Sequence, residues 1–373
     1  MSIASAFRSR SHILRGTKST FTRTSHYYRW IRPMSATSTN TVPSTGKKNV
    51  LLLGGVLAPI AEQLTNHESL EVHPLNFMEN SEQWLQDHGS SIDYIMTNYG
   101  DGLSESVLAQ TPNVQLVSCN GVGYDSLPVS ALVDRQMLVT HTPTVLDAET
   151  STTAILLYLA CYRDILSCER HARSGDWETK GAHPLTRTAD GRKVGILGLG
   201  RIGQAIAHKL EPFGCQIAYH SRNPKPDVSY QYYDDLLSMA QEVDCLIAIL
   251  PGGAETKHIV NQQVLEALGP DGVFINVARG SVVDEQALIQ VLSEQKLGWA
   301  GLDVFEKEPH IPAALRSLPN VVLLPHVGSA THETRQAMGQ LTLDNIVQHA
   351  QDGTVFTPVP ECAEYAKTTP LKL

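Results

Sequence analysis

Residues 194–207, with the sequence VGILGLGRIGQAIA, constrain the fold of this chain more than any other stretch. The run begins as an apolar segment typical of a buried parallel strand, turns at a G-x-G-x-x-G pattern and continues with helical periodicity. Here Gly198 permits a tight turn, Gly200 lets the backbone approach a phosphate, and Gly203 lets the helix pack closely on the strand. The start of that helix offers free N–H groups to an anion. The stretch therefore predicts a strand–turn–helix unit that binds the pyrophosphate of a dinucleotide.

Apolar runs that predict strands alternate with helical patterns along the rest of the chain. Four precede the glycine-rich turn, at 49–53, 91–96, 114–118 and 139–143, and five follow it, at 216–220, 245–250, 273–277, 299–304 and 321–324. This alternation predicts an α/β fold of Rossmann- or flavodoxin-like type, with doubly wound parallel sheets. Ligands bind such sheets outside the carboxyl ends of the strands.

Charge and cysteine content limit the classes of partner. The formal net charge of the chain is -9, which argues against nucleic acid but is compatible with a small anionic substrate. Six cysteines are scattered without a C-x-x-C pair, a pattern typical of free thiols in a reducing compartment, and no metal site is predicted. We find no apolar run of transmembrane length, so no membrane partner is expected.

The first 45 residues differ in composition from the remainder of the chain. They are rich in Ser, Thr and Arg, and no Asp or Glu precedes Glu62. This composition is typical of a mitochondrial transit peptide, and a disordered leader without an address is the alternative. A start at Met34 would give a short cytosolic form, so the predicted location is mitochondrial or cytoplasmic.

Three polar residues follow the ends of successive apolar strands in the second half of the chain. They are Arg279, Glu308 and His326. Strand ends of one parallel sheet lie at the same edge, so these side chains are expected to converge. The guanidinium of Arg279 suits a carboxylate, whereas His326 can donate a proton near neutral pH and Glu308 would favour its charged form. The set fits a reaction on a 2-oxo acid.

Two glycine-rich loops follow predicted strands in the first half of the chain. Their backbone N–H groups are candidates for holding a substrate carboxylate, and ordinary turn chemistry is the alternative. The candidate residues are Asn98, Tyr99, Gly100, Gly121, Val122 and Gly123.

The strand predicted at 216–220 ends in residues that bear on the choice of dinucleotide. In NAD enzymes this strand ends in an acid that binds the ribose 2′-hydroxyl and repels a phosphate. Here the strand runs into Ser221, Arg222 and Asn223, and the next acid is Asp227. Ser221 and Arg222 suit a 2′-phosphate, so the predicted cofactor is NADPH/NADP, with NADH as a weaker alternative.

The motifs GLGRIG, NVARG at 276–280, GLDVFEKEP at 301–309 and LPHVGS at 324–329 resemble the D-isomer-specific 2-hydroxyacid dehydrogenases. The branch most resembled is that of the glyoxylate/hydroxypyruvate and hydroxyphenylpyruvate reductases. The resemblance implies that Arg279 orients the 2-oxo acid, His326 is the acid/base, Glu308 tunes it and Asp303 helps to place the nicotinamide. The implied cofactor contacts are Gly198, Leu199, Gly200, Arg201, Ile202, Gly203, Ser221, Arg222, Asn223, Leu250, Pro251, Val277, Ala278, Asp303, His326, Gly328 and Ser329.

The resemblance also implies a domain organisation. Residues 46–142 with 330–360 would form a discontinuous substrate-binding lobe, residues 143–329 the dinucleotide-binding lobe, and residues 361–373 a tail. The two lobes would enclose a cleft, and the cofactor lobe would form a homodimer. The expected activity is NADPH-dependent reduction of a small 2-oxo acid to the D-2-hydroxy acid. A dinucleotide-sensing binding protein of the co-repressor type is the alternative.

A long apolar helix predicted at 150–164 leaves two points open. Core packing and a subunit interface would both account for its composition. The family commonly has an acidic residue where this chain has Thr150, Ser151 and Thr152, so the packing between the lobes is less certain. Tyr99 and Tyr124 are candidates for bounding the substrate pocket, as are Trp177 and His183 if the region of the long helix crosses to a partner subunit, and simple packing is the alternative for each.

Overall fold

The computed structural model describes residues 46–371. The predicted leader, with its targeting signal and the start at Met34, lies outside the described residues. The described chain forms two parallel β-sheets, each covered by helices, as the alternation of apolar runs predicts. None of the helices in this part of the chain is long and apolar enough to cross a membrane.

The first sheet has five parallel strands in the order β2-β1-β3-β4-β5. Its strands are β1 (Lys48–Leu52), β2 (Leu70–Pro74), β3 (Tyr94–Asn98), β4 (Leu116–Asn120) and β5 (Leu138–Thr140). The helices of this part of the chain are α1 (Ala58–Asn66), α2 (Ser81–His88), α3 (Glu105–Gln110) and α4 (Val129–Asp134). The strand order is that of flavodoxin-like sheets.

The second sheet has seven parallel strands in the order β12-β11-β10-β9-β6-β7-β8. Its strands are β6 (Lys193–Leu197), β7 (Gln216–His220), β8 (Gln231–Tyr233), β9 (Cys245–Ala248), β10 (Val273–Asn276), β11 (Trp299–Leu302) and β12 (Val321–Leu323). The helices from residue 147 onward are α5 (Asp147–Tyr162), α6 (Ile165–Arg173), α7 (Asp176–Lys180), α8 (Arg201–Leu210), α9 (Leu236–Glu242), α10 (Gln262–Ala267), α11 (Glu285–Ser293), α12 (Ala313–Ser317) and α13 (His332–Asp352). The strand order reverses beside β6, which places the glycine-rich turn at the switch point where such sheets bind ligands.

The chain returns to the first sheet through α13. Leu343 and Ile346 of this helix are buried in the core of the first sheet, and the Ser118 hydroxyl of β4 donates to the Thr342 carbonyl over 2.9 Å. The segment predicted as a tail contributes to the same core, because the side chain of Cys362 is completely buried there. The same segment is tied to the first sheet by the Tyr365 hydroxyl, which donates to the Met137 carbonyl over 2.9 Å, and just before it Val359 N–H donates to the Val139 carbonyl over 2.9 Å.

The long helix α5 packs mainly in the hydrophobic core of the second sheet. Ala154, Leu157, Tyr158 and Cys161 are buried against β-strands and α8, whereas Leu156 is 54% exposed. The helix therefore has a core-packing role along most of its length, and an apolar side chain of its outer face reaches the surface.

Candidate active site

The glycine-rich turn has the geometry that its sequence predicts. Gly198 has φ +101°, and a Cβ there would lie 2.5 Å from the Ile249 carbonyl oxygen. A Cβ on Gly203 would lie 2.2 Å from the Gly198 carbonyl oxygen, so the helix can approach the strand because that position lacks a side chain. In contrast, a Cβ on Gly200 would meet no described atom within 4 Å. The open face at Gly200, beside the N-terminus of α8, fits the pyrophosphate of a dinucleotide.

The loop after β7 presents a cation without an acid beside it. The Ser221 hydroxyl donates to the Asn223 carbonyl over 2.7 Å, and the Tyr232 hydroxyl donates to the Ser221 carbonyl over 3.2 Å. These bonds order the loop. The Arg222 side chain is exposed and forms no ion pair with any residue from 46 to 371. Its guanidinium is therefore available to an anionic ligand.

The remaining predicted cofactor residues follow the carboxyl ends of β9 to β12. Asp303, at the end of β11, is 2% exposed, and its carboxylate accepts from the N–H groups of Val327 and Gly328 over 2.7 and 2.8 Å. Burial raises the pKa of Asp303, and it outweighs these two hydrogen bonds and the charge of His326, which act to lower it. The others at this edge are Leu250, Pro251, Val277, Ala278, Gly328 and Ser329.

His326 and Glu308 form a close pair. The distance from His326 Nδ1 to Glu308 Oε2 is 2.6 Å, and the other carboxylate oxygen, Oε1, accepts from Phe305 N–H over 3.0 Å. Burial acts to raise the pKa of Glu308, but the hydrogen bond and charge of His326, the Phe305 N–H and the charge of Arg279 together hold it below its usual value. Since Nδ1 is engaged by the carboxylate, Nε2 is the imidazole nitrogen left for a substrate.

Arg279 lies across the cleft from the first sheet. Its Nε donates to the Asp125 carboxylate, at 3.1 Å from Oδ1 and 3.3 Å from Oδ2, and its Nη1 donates to the Ala278 carbonyl over 2.8 Å. The guanidinium also packs on Gly123, where a Cβ would lie 1.7 Å from Nη2. The structure therefore brings the predicted carboxylate-binding residue against one of the predicted substrate loops.

The other predicted substrate loop reaches the histidine. The ring of Tyr99 lies on the imidazole of His326, with the ring centroids 4.6 Å apart. The Asn98 side chain organises this loop, because its Oδ1 accepts from the N–H groups of Gly100 and Asp101 over 2.8 and 3.0 Å. In the second loop, Gly121 lies beneath Tyr99, where a Cβ would be 3.3 Å from the Tyr99 Cβ.

The other candidates for the substrate pocket are placed differently. The Val122 carbonyl is hydrogen-bonded to His141 Nδ1 over 2.9 Å, and the Tyr124 hydroxyl donates to Glu361 over 3.0 Å. Trp177 is 69% exposed, and His183 is hydrogen-bonded to Ser167 over 3.0 Å. Within the described chain, neither Trp177 nor His183 is hydrogen-bonded or ring-stacked with a predicted site residue.

The segment where the family commonly has an acid packs through hydroxyl groups. Thr150 is buried beside Gly328, and the Thr153 hydroxyl donates to the Gly328 carbonyl over 3.3 Å. Lys209 of α8 donates to the Ala148 carbonyl over 2.7 Å and also contacts the Thr152 hydroxyl. The start of α5 is therefore joined both to the loop after β12 and to α8.

Asp125 is a site residue that sequence reasoning did not single out. It lies two residues beyond Gly123, at the carboxyl end of a parallel strand, where charged side chains face the ligand edge. The available signal in the sequence was an acid after a predicted strand, in a protein whose substrate-binding arginine needs a partner to hold it in place. Its partner could not be chosen from sequence because Arg279 belongs to the other sheet.

Comparison with known proteins identifies the family. The chain is 43% identical over 306 residues to glyoxylate/hydroxypyruvate reductase A of Arabidopsis thaliana, covering 82% of this chain and 97% of the relative. Residues 155–328 also match the family model for the D-isomer specific 2-hydroxyacid dehydrogenase, NAD binding domain. The chain belongs to the D-isomer-specific 2-hydroxyacid dehydrogenase family. It is accordingly an NAD(P)-dependent oxidoreductase that acts on a small molecule.

Other members of this dehydrogenase family show the same likeness. Hydroxyphenylpyruvate reductase of Plectranthus scutellarioides is 43% identical over 72% of this chain and 86% of the relative. The crystal structure of an NADPH-dependent glyoxylate/hydroxypyruvate reductase from Sinorhizobium meliloti, in complex with NADP and malonate, has a TM-score of 0.79 and 41% identity. That comparison covers 85% of this chain and 98% of the other. The predicted fold and family are confirmed, and the relatives support reduction of 2-oxo acids.

Proposed function

We propose that this dehydrogenase reduces a small 2-oxo acid of the glyoxylate or hydroxypyruvate type to the D-2-hydroxy acid, with NADPH as the preferred cofactor. The observation that carries the proposal is the 2.6 Å pair of His326 and Glu308, at the same edge as Arg279 and the glycine-rich turn. A proton donor, a carboxylate-binding cation and a dinucleotide turn are the parts that such a reduction needs. The names of the relatives support this substrate class.

In the proposed reaction, the nicotinamide, when bound, supplies the hydride. Arg279 binds the substrate carboxylate and orients the keto carbon. His326 donates a proton from Nε2 to the keto oxygen, while the Glu308 carboxylate stabilises the protonated imidazole. Asp303 fixes the backbone of Val327 and Gly328 beside the histidine and helps to place the nicotinamide.

Preference for NADPH rests on the loop after β7. Arg222 is exposed there, and an acid that would repel a 2′-phosphate is absent from Ser221 to Asn223. The related enzyme from Sinorhizobium meliloti is described as NADPH-dependent. NADH is expected to bind more weakly because it lacks the phosphate.

The presence of two separate cores supports the proposed division of the chain into domains. Residues 46–142 with 330–360 would bind the substrate, and residues 143–329 would bind the dinucleotide. We further infer a homodimer formed through the dinucleotide-binding part. Large apolar side chains of this part are exposed, namely Leu156, Ile165, Leu166, Trp177 and Leu185. Light scattering should give the mass of a dimer, and a monomer at micromolar concentration would overturn this assignment.

The leader composition supports a mitochondrial location for the full chain and a cytosolic one for a form that begins at Met34. A fluorescent reporter carrying residues 1–45 should enter mitochondria. A uniformly cytosolic reporter would contradict the proposal.

The experiment that tests the function is steady-state turnover by the purified protein with NADPH. The substrate panel is glyoxylate, hydroxypyruvate, pyruvate, 4-methyl-2-oxopentanoate and hydroxyphenylpyruvate. Turnover of glyoxylate or hydroxypyruvate with the highest kcat/KM is expected. Binding of NADPH without turnover of any member of the panel would overturn the proposal and favour a dinucleotide-sensing protein.

A further inference from the structure

The contact between Asp125 and Arg279 joins the two halves of the molecule. Asp125 lies in the loop after β4 of the first sheet, whereas Arg279 follows β10 of the second. The Nε of Arg279 is 3.1 and 3.3 Å from the two carboxylate oxygens, and the two side chains are 25% and 34% exposed for Arg279 and Asp125. The pair is therefore partly exposed to solvent.

Two glycines make room for this pair. A Cβ on Gly123 would lie 1.7 Å from Arg279 Nη2, and a Cβ on Gly252 would lie 3.0 Å from Arg279 Cγ and 3.1 Å from Asp125 Oδ2. Gly252 belongs to the loop after β9, next to the predicted cofactor residue Pro251. Three loops, two from the second sheet and one from the first, therefore meet at the ion pair.

The hydrogen bonds of the guanidinium are divided between its edges. Asp125 holds Nε, and the Ala278 carbonyl accepts from Nη1 over 2.8 Å. Within residues 46–371, Nη2 donates to no side chain or carbonyl, so this nitrogen is left for a ligand. Because Asp125 is hydrogen-bonded to Nε, its carboxylate restrains the plane of the guanidinium and leaves Nη2 without a protein acceptor among the described residues.

We propose that Asp125 is a positioning residue for Arg279, and that its carboxylate sets the guanidinium for the substrate carboxylate from the opposite side of the contact between the two lobes. The proposal rests on the proposed function, since it assumes that Arg279 binds the substrate. The physical reason is that the Asp125 carboxylate, through its hydrogen bonds with Nε, restricts the rotamers of the flexible Arg279 side chain, which belongs to the other lobe.

The test is the Asp125→Asn variant in the full chain, with hydroxypyruvate and NADPH as ligands. Loss of the charge should raise KM for hydroxypyruvate about three- to tenfold, as expected for a half-exposed ion pair, with a smaller change in kcat. The dissociation constant of NADPH, measured by fluorescence titration, should remain unchanged. Asp134→Asn is the matched control, because it removes the same charge from an exposed position at the end of α4.

A double-mutant cycle distinguishes positioning from general support of the fold. In an Arg279→Lys background the ammonium lacks the Nε–H, so Asp125→Asn should change KM much less than it does in the parent. An equal fold-change in both backgrounds, or an unchanged KM in Asp125→Asn, would overturn the proposal. If Asp125→Asn does not fold, Asp125→Glu replaces it, and an elevated KM with native NADPH affinity and native Tm is expected. Native KM in the Glu variant would count against a geometric role.

The same measurements separate this proposal from the proposed function. If Arg279→Ala leaves hydroxypyruvate turnover intact, Arg279 does not bind the substrate and the site itself has been misassigned. If Arg279→Ala abolishes turnover while Asp125→Asn is neutral, the enzyme assignment stands and the positioning role fails.

Discussion

Arg279 and His326 are expected to affect different kinetic constants. Replacing Arg279 with Ala should raise KM and lower kcat together, because the guanidinium holds the substrate in the ground state and the transition state. Replacing His326 with Ala should lower kcat about 10²–10⁴-fold, the usual contribution of a positioned acid, and should change NADPH affinity far less, because the other predicted cofactor contacts remain. Steady-state kinetics combined with NADPH titration checks both. A His326→Ala variant with native kcat would show that the proton comes from another group.

The Glu308→Gln variant tests the charge of the pair separately from its hydrogen bond. The pKa of Glu308 lies below its usual value, so its carboxylate is ionised throughout the neutral range and loses its charge only when the pH falls through that pKa. At neutral pH the anion stabilises the protonated imidazole that reduction consumes, and an amide does not. The alkaline limb of the reduction profile should therefore move to lower pH.

The reverse reaction checks the direction of this shift in the pH profile. Oxidation of the hydroxy acid needs the neutral imidazole, so its acid limb should extend to lower pH in the same variant. Profiles of kcat/KM against pH, measured in both directions, decide the matter. If both limbs stay where they are in the parent enzyme, Glu308 does not act on the proton of His326, and Asp303 becomes the next acid to test.

At the level of single residues, the sequence predicted the side chains that have distinctive acid, base or carboxylate-binding chemistry. Arg279, Glu308 and His326 follow strand ends, and the structure places His326 and Glu308 in hydrogen-bond contact. The contacts of Asp125 with Arg279 and of the Tyr99 ring with His326 depend on how close the two lobes lie, which no local pattern encodes.

Among the elements, the glycine-rich turn gives a matched pair of variants. Gly203→Ala places a Cβ 2.2 Å from a backbone carbonyl, a clash that costs about 1–3 kcal/mol and outweighs the gain of roughly 1 kcal/mol in helix propensity. Gly200→Ala meets no described atom within 4 Å, so it should fold normally but bind NADPH less tightly. Thermal unfolding should show a lower Tm for Gly203→Ala and a parental Tm for Gly200→Ala, and NADPH titration should show weaker binding by Gly200→Ala. Equal Tm losses in both would contradict this account of the turn.

The loop after β7 is the element that decides between the dinucleotides. The double change Ser221→Asp with Arg222→Ala should move preference from NADPH toward NADH, because it removes a phosphate-binding cation and adds an acid for the ribose hydroxyl. The loss of a charge-assisted contact corresponds to about 1.5–3 kcal/mol, or roughly ten- to a hundredfold in the ratio of kcat/KM values. An unchanged ratio would mean that the 2′-phosphate is recognised elsewhere.

The two strands that sequence reasoning missed are edge strands. β2 has the sequence LEVHP, with one buried residue in five, and β8 has three residues, none of them buried. Both lie at an edge of a sheet, where one side of the strand is unpaired and the apolar signal is weak. The buried central strands were predicted within a few residues because both of their faces are covered and their sequences are continuously apolar.

For the whole molecule, the discontinuous first lobe is the feature that local patterns describe least. The motifs show where the second lobe binds its ligands, but the return of α13 to β4 is a tertiary contact between residues more than 200 positions apart. The resemblance to the family supplied that expectation. The burial of Cys362 shows that the first lobe also includes the segment predicted as a tail.

This packing predicts the effect of shortening the chain. Removal of residues 361–373 deletes the buried Cys362, the 2.9 Å hydrogen bond from the Tyr365 hydroxyl to the Met137 carbonyl, and the backbone bonds that join Val355 to residues 367 and 369. We expect the first lobe to lose about 2–4 kcal/mol of its free energy of unfolding. Its Tm should fall by several degrees, whereas NADPH affinity should change little because the second lobe is intact.

The control for that truncation removes residues 371–373 alone. Residues 367–369 then remain in place beside Val355, and Tm should equal that of the parent. Scanning calorimetry with and without saturating NADPH distinguishes the lobes, since the ligand raises the transition of the part that binds it. If the chain shortened at residue 360 unfolds at the parental temperature, the segment rests on the first lobe without stabilising it.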